Sequence, residues 1–158
     1  MIMRRRFLIL AACPIASLSC ANTGKEEGSS SALPVSQEAL TGKTWVLKSM
    51  VDGGKEIALE KDTKLSISFG KEGEVKGHSG VNSFASGYTL DASSGKLTWT
   101  KPFRQTRRAG PPELMKQEST FIKILRQTDR LHQRAQEELL FTSHSSGKST
   151  ILTFAPGK

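Results

Sequence analysis

A chain of 158 residues, 36% apolar, 24% charged and carrying a formal charge of +8, has room for one domain around one small core. Two cysteines are too few for a disulfide-stapled scaffold, and the charged fraction is too ordinary for a disordered chain. What remains is a small basic domain.

The N-terminus places Arg4, Arg5 and Arg6 before an uncharged, mostly apolar run, Phe7 to Ser19, which stops at Cys20. A basic patch, a short apolar stretch and small residues beside the stop predict a bacterial export signal over residues 1–19. The run is too short to anchor across a bilayer, and Pro14 would interrupt a membrane helix. Ala16-Ser17-Leu18-Ser19-Cys20 resembles a lipobox, where the peptidase needs small residues at the cut and the next thiol carries a diacylglycerol thioether. Leu18 lies one place nearer the cysteine than is usual. Leu10-Ala11-Ala12-Cys13 is spelled more tidily, but it shortens the apolar run and sets Pro14 after the modified residue. Cys20 is therefore the expected lipid-attachment residue, with Cys13 as the alternative. Ala21, rather than aspartate, follows the cysteine. The expected destination in a two-membrane bacterium is the outer membrane, facing the periplasm; a soluble periplasmic or secreted domain is the other outcome. Loss of residues 1–19, which hold three arginines and no acid, would leave a net charge of +5 and no free thiol.

Residues 20–38 are small and polar without a period, which predicts a flexible tether reaching about 20–25 Å. The domain is expected over 39–158. Trp45–Val51 is rich in strand formers and ends at the turn signal Asp52-Gly53-Gly54. Leu65-Ser-Ile-Ser-Phe69 alternates as a half-buried strand does, and Gly70–Gly73 turns it into Glu74–His78. Tyr88–Asp91 and Lys96–Thr100 flank a second turn, and Leu139–Ser143 and Thr150–Phe154 a third. Between them, Leu114, Met115, Phe121, Ile122 and Leu125 recur at helical spacing after Pro111-Pro112, with Glu113 in the first turn. This predicts one helix over about 112–127. The expected fold is mainly β with one α-helix: a small antiparallel lipocalin-like barrel, or a strongly curved sheet with the helix against it.

Residues 77–125 hold a more specific set. Gly77-His-Ser-Gly-Val-Asn-Ser-Phe-Ala-Ser-Gly-Tyr88 is followed by Leu97-Thr-Trp99, Thr106-Arg-Arg-Ala-Gly-Pro111, Glu118 and Phe121–Leu125. With Leu40–Leu47 at the start and Leu152-Thr-Phe154 at the end, the chain resembles the META domain, HslJ-like family over about 40–155. The family often has cysteine where this chain has Val81 and Gly110, so no disulfide or thiol role carries over, and the paired absence fits two segments that lie close together. The resemblance implies a lipocalin-like β fold with one helix and no enzymatic activity. It also implies a small exported or lipid-anchored protein linked to stress, antibiotic tolerance or surface interaction. Its signature positions Gly80, Val81, Asn82, Thr106 and Gly110 read as structural, since glycine permits tight bends and asparagine bonds backbone in irregular turns. A ligand site at Asn82 and Thr106 is the competing reading.

Other motifs lack their context. Gly147-Lys-Ser149 and Gly42-Lys-Thr44 end like phosphate loops but lack the earlier glycine and the following helix. Ser93-Ser-Gly-Lys96 and Ser145-Ser-Gly-Lys148 have the Ser-x-x-Lys spacing but straddle hairpin turns. No cluster has metal-ligand spacing, so neither metal nor cofactor is expected. Lys101, Arg104, Arg107, Arg108 and Lys116 gather within a short stretch and could meet an anionic lipid or another polyanion. Nucleic acid is not expected, because no set of stacking aromatics accompanies the cations. The leading expectation is a non-enzymatic, lipid-anchored envelope protein that binds or supports another envelope component, in contact with the membrane through its acyl chains. A small-ligand carrier using the barrel interior and a hydrolase built on His78 or His144 with a serine are the alternatives. Oligomeric state is left open.

Overall fold

The computed structural model describes residues 35–61, 63–134, 137–143 and 147–157. The export signal, Cys13, Cys20, most of the expected tether, and His144 to Ser146 lie outside the described residues. Nine antiparallel strands and two helices are formed among those described. In chain order they are α1 (Gln37–Leu40), β1 (Thr44–Asp52), β2 (Lys55–Ile57), β3 (Leu65–Phe69), β4 (Glu74–Ser79) and β5 (Ser83–Asp91). Then come β6 (Lys96–Gln105), α2 (Pro112–Gln127), β7 (Arg130–Arg134), β8 (Glu138–Ser143) and β9 (Thr150–Pro156).

One sheet runs in the order β2-β1-β3-β4-β5-β6-β7-β8-β9, and β1 returns to pair with β9. The long β1 makes this ring closure. Its start pairs with β3 through Thr44–Val46, while Trp45–Asp52 pairs with β9 on the other side. Leu47 faces Phe154 across that closure, so the first and last strands of the domain meet. The ring is thin at one place. β6 and β7 share a single ladder pair, Lys96 opposite Arg130, flanked by Leu97 N–H donating to Asp129 O and Leu131 N–H donating to Gly95 O. The sheet is thus a curved, ring-like one with a seam rather than a regular barrel.

The alternation read in Leu65–Phe69 is real: Leu65, Ile67 and Phe69 are buried and the serines between them are half-buried. The same period places Leu139, Phe141, Leu152 and Phe154 inside. The helix matches its sequence-based limits. Pro112 opens it, Glu113 suits the positive end of its dipole, and Arg126 suits the negative end. Thr128 closes it, its hydroxyl donating to Leu125 O at 2.7 Å. The inward face of α2 carries Phe121, Ile122, Ile124 and Leu125, which fill the ring. Phe121 lies between Phe84 and Phe154, at centroid distances of 6.0 and 6.3 Å. It is the middle of an unbroken series of ring contacts: Tyr88, Phe69, Phe141, Phe154, Phe121, Phe84, Phe103, Trp99. Edge-to-face pairs predominate in it, the arrangement that aromatic quadrupoles favour.

Several elements differ from expectation. β5 starts at Ser83 rather than Tyr88, and β6 continues to Gln105 rather than stopping at Thr100. Register shifts around Gly87 interrupt the period in the β5–β6 ladder, and Lys101-Pro102 reads as a loop by composition. The short β2 and the polar β7, Arg-Leu-His-Gln-Arg, have too little alternation to be seen. The folded body also takes in residues 35–38, assigned to the tether by their polarity. Val35 is wholly buried, Ser36 Oγ accepts Ala39 N–H, and Gln37 Nε2 donates to Lys71 O at 2.7 Å.

Phe121→Ala removes the ring that joins both halves of this series. It is expected to cost about 3–5 kcal/mol by chemical denaturation, with the secondary structure otherwise retained. A cost under about 1 kcal/mol would mean that the helix is not part of the core.

Candidate functional site

The most buried charge lies where helix α2 crosses the β4–β5 turn. Glu118 is 6% exposed, and among the described residues its carboxylate receives donors from that turn alone. Its Oε2 accepts Asn82 N–H at 2.7 Å and Val81 N–H at 3.2 Å, with Ser79 Oγ at 2.9 Å. Its Oε1 accepts Asn82 Nδ2 at 2.8 Å. Gly80 makes the turn possible. Its φ of 116° lies where a side chain would be strained, and this conformation lets successive N–H groups converge on one oxygen.

Asn82 carries the network to a third segment. Its Oδ1 accepts Thr106 Oγ1 at 2.7 Å and Arg108 N–H at 2.8 Å, and its Nδ2 also donates to Arg108 O at 3.2 Å. Thr106 Oγ1 in turn accepts Ser83 N–H at 3.2 Å. Both amide hydrogens and both acceptor positions of Asn82 are therefore engaged within the protein. Asn82 and Thr106 meet, as a site there would require, but they spend their polar atoms on one another, on Glu118 and on backbone.

Burial raises the proton affinity of the Glu118 carboxyl. Donation from the Asn82 side chain and backbone, from Ser79 and from Val81 outweighs it and holds the group below the ordinary carboxylate range. Glu118 is thus a buried anion met by dipoles. Among the described residues no cation lies within 4.0 Å of it, the two ion pairs being Lys43–Glu137 and Lys123–Asp52. Sequence reasoning quoted Glu118 within the family pattern but did not name it as a site residue. A signal was present: Glu118 falls four residues after Leu114 and three before Phe121, so an acid sits on the apolar stripe of the helix.

Val81 and Gly110 are neighbours. A Cβ added at Gly110 would lie 3.4 Å from Val81 Cβ and 2.6 Å from its Cγ2. The two positions where the family often has cysteine thus touch, and here valine packs against a glycine that leaves it room.

The basic residues surround an open cleft of about 730 Å³ beside this network. Arg104, Arg107 and Arg108 line it, with Arg126 on its helix side. Arg126 stacks on the Phe103 ring at 5.4 Å. All of these arginines are exposed, and among the described residues none has an acid within 4.0 Å. Lys101 and Lys116 are exposed as well but do not line the cleft; Lys101 lies on a neighbouring groove with Arg104.

Of the remaining motifs, Ser93-Ser-Gly-Lys96 forms the β5–β6 hairpin turn, while Ser145 and Ser146 lie outside the described residues. Ser93 and Ser94 donate to Asp91 Oδ1 and Oδ2 at 2.6 and 2.7 Å inside the β5–β6 hairpin, and Asp91 is thereby lowered to about 2. His78 lies across the ladder from Ser66 and Ser83, yet its Nδ1 accepts Gly80 N–H at 3.3 Å, and no serine hydroxyl is bonded to it. Among the described residues no three metal-ligating side chains gather.

Comparison with known families places this geometry. The META domain profile matches residues 38–156. The chain belongs to the META domain family. No curated protein matches it. Its fold is similar to the NMR structure of a protein from Burkholderia xenovorans, at a TM-score of 0.66 and 18% identity, covering 100% of this chain and 99% of the other. A second protein solved by NMR is similar at a TM-score of 0.54 and 26% identity, covering 77% and 94%. The crystal structure of a DUF4847 family protein from Bacteroides vulgatus is similar at 0.52 and 16%, covering 75% and 94%. Gly80, Val81, Asn82, Thr106 and Gly110, the positions read from sequence as a family signature, lie in the Glu118 network or beside it.

Two outcomes follow. Glu118 has a lower proton affinity folded than unfolded, so its contribution to stability is complete above the unfolded value near 4.5 and is lost as pH falls through the lower folded value. Glu118→Gln is expected to cost about 2–4 kcal/mol at neutral pH and to flatten the stability profile below about pH 4.5, measured by denaturation at a series of pH values. An unchanged profile would remove Glu118 from the acid response. Separately, a Val81→Cys, Gly110→Cys double variant places two thiols at near-disulfide separation. It is expected to oxidise spontaneously and to gain about 3 kcal/mol over its reduced form, read by thiol titration and denaturation.

Proposed function

We propose that this META domain protein is an HslJ-like, lipid-anchored protein of the bacterial envelope, without enzymatic activity, that holds an anionic envelope component at its arginine cleft and so supports the envelope under stress. The observation that carries this reading is the set Arg104, Arg107 and Arg108: exposed, beside a cleft, and with no acid within 4.0 Å among the described residues. Guanidinium groups left without internal partners offer paired donors to carboxylate or phosphate. The N-terminal pattern ending at Cys20 supports the anchor. The series of aromatic contacts from Tyr88 to Trp99 favours an interaction protein over a carrier, because those rings occupy the interior that a small ligand would need.

The test uses the full chain expressed in a two-membrane bacterium, alone and as Cys20→Ser and as Arg104→Glu, Arg107→Glu, Arg108→Glu. Intact mass is expected to show acyl chains on the parent and the triple variant and none on Cys20→Ser, with membrane fractionation following the acyl chains. The parent and Cys20→Ser are expected to be retained on immobilised polyglutamate in a salt-dependent way, and the triple variant not. A soluble, unacylated parent would remove the anchor, and equal retention of the triple variant would remove the cleft.

A further inference from the structure

The seam in the ring leaves a strand edge open. β6 is ten residues long and is paired along β5 from end to end, but it meets β7 only at Lys96. Among the described residues, no strand pairs with that second edge from Thr98 to Gln105. Helix α2 supplies no strand to this edge: it packs chiefly on β4 and β9 and meets β6 through side chains, with Arg126 on the Phe103 ring and Trp99 Nε1 donating to Thr128 O at its C-terminal cap. An edge of this kind presents unpaired N–H and C=O groups and is a template for another extended chain.

The residues along the edge restrict what can add to it. Lys101 and Arg104 make it cationic, Arg107 and Arg108 follow just beyond its end, and Pro102 removes one donor. A second copy of this chain would bring the same cations against these, so self-pairing is opposed. An acidic strand is favoured by the same charges. The edge also runs into the arginine cleft, whose apolar lining is the half-buried Phe103 and Met115. Within β6, Trp99 and Phe103 lie toward the helix side while Thr98, Pro102 and Arg104 are exposed. Because strand side chains alternate, an added segment would need apolar residues at every second position and acids between them.

The chain enters the domain beside the β3–β4 turn, where Gln37 bonds Lys71. The cleft is at the other end of β4, where Arg108 bonds Asn82. β4 spans six residues, about 20 Å, between these ends. The cleft therefore lies on the side of the domain away from the entering chain.

We propose that the free edge of β6, from Thr98 to Gln105, receives an extended acidic segment of another protein by strand addition, with Arg104, Arg107 and Arg108 pairing its carboxylates and the Phe103–Met115 surface taking an apolar side chain. The inference rests on the reading of the arginine cleft as an anion site and adds the partner's class and backbone geometry.

The test titrates the full chain with a fluorescent peptide of alternating glutamate and valine, about eight residues long to match the edge. The comparison probes are the same peptide N-methylated at its valines, soluble polyglutamate, and phosphatidylglycerol vesicles. Anisotropy is expected to show peptide binding that weakens about tenfold or more both on N-methylation and in Arg104→Glu, Arg107→Glu. Amide hydrogen exchange within 98–105 is expected to slow when the unmethylated peptide is bound. Far-ultraviolet circular dichroism checks that the variant stays folded, and a milder Arg107→Gln is expected to give an intermediate loss. Equal binding of the N-methylated peptide, without protection of the β6 amides, would overturn strand addition while leaving the cleft as an anion site. Preference for the vesicles over the peptide would replace the protein partner by a lipid surface and overturn the proposal. Failure of both peptide and polyglutamate to bind would overturn the anion site as well.

Discussion

The carboxylate of Glu118 is the constraint on which the arrangement of this domain depends. Ionised and buried, it can be tolerated only where several donors replace water, since an uncompensated charge of this kind costs several kcal/mol. Its donors come from one turn, Ser79 to Asn82, so the turn must hold its strained Gly80 conformation and the helix must dock at one height along the ring. Asn82 extends the constraint to Thr106 and Arg108, which sets where the chain leaves β6 and approaches the helix. Three segments far apart in sequence are thereby held together by a handful of polar side chains.

The same docking completes the core. With Glu118 in place, Phe121 one turn later enters the ring and joins Phe84 to Phe154. The large rings fill what the sheet encloses, and the polar clasp gives the packing a single register. This division of labour matters functionally. A domain whose interior is occupied by its own side chains offers its surface to partners, and the surface feature with the clearest chemistry is the arginine cleft beside the clasp. Its arginines lie on and beside the segment that Asn82 holds, so the clasp also positions the cations.

The ring is incomplete for a related reason. The segment between β6 and β7 is spent on helix α2, and β7 begins only at Arg130, opposite Lys96, so the residues that would face the rest of β6 lie in the helix and its approach. Spending that segment on a helix packed against the ring thus leaves one strand with a free edge. Lysine, proline and arginine along that edge are residues of the kind that keep an exposed edge from pairing indiscriminately, and their positive charge is what the proposed acidic partner would meet.

Local pattern in the sequence determined the helix from Pro112 to Gln127, the alternating strands such as Leu65–Phe69, and the turns at Gly53, Gly70 and Ser93, because periods of two and 3.6 report directly which side of an element meets the core. It also marked Asn82, Thr106, Val81 and Gly110 as belonging together through family resemblance. It could not reveal β7 or the full length of β6, where polar composition and a shifted register hide the period. Nor could it reveal that an acid on the apolar stripe of the helix would be ionised rather than neutral. That depends on four donors brought from more than thirty residues away. Closure of the ring, the seam beside β6 and the meeting of the arginines with Phe103 were decided only by the tertiary structure, since long-range pairing and desolvation are properties of which segments meet and leave no local period to read.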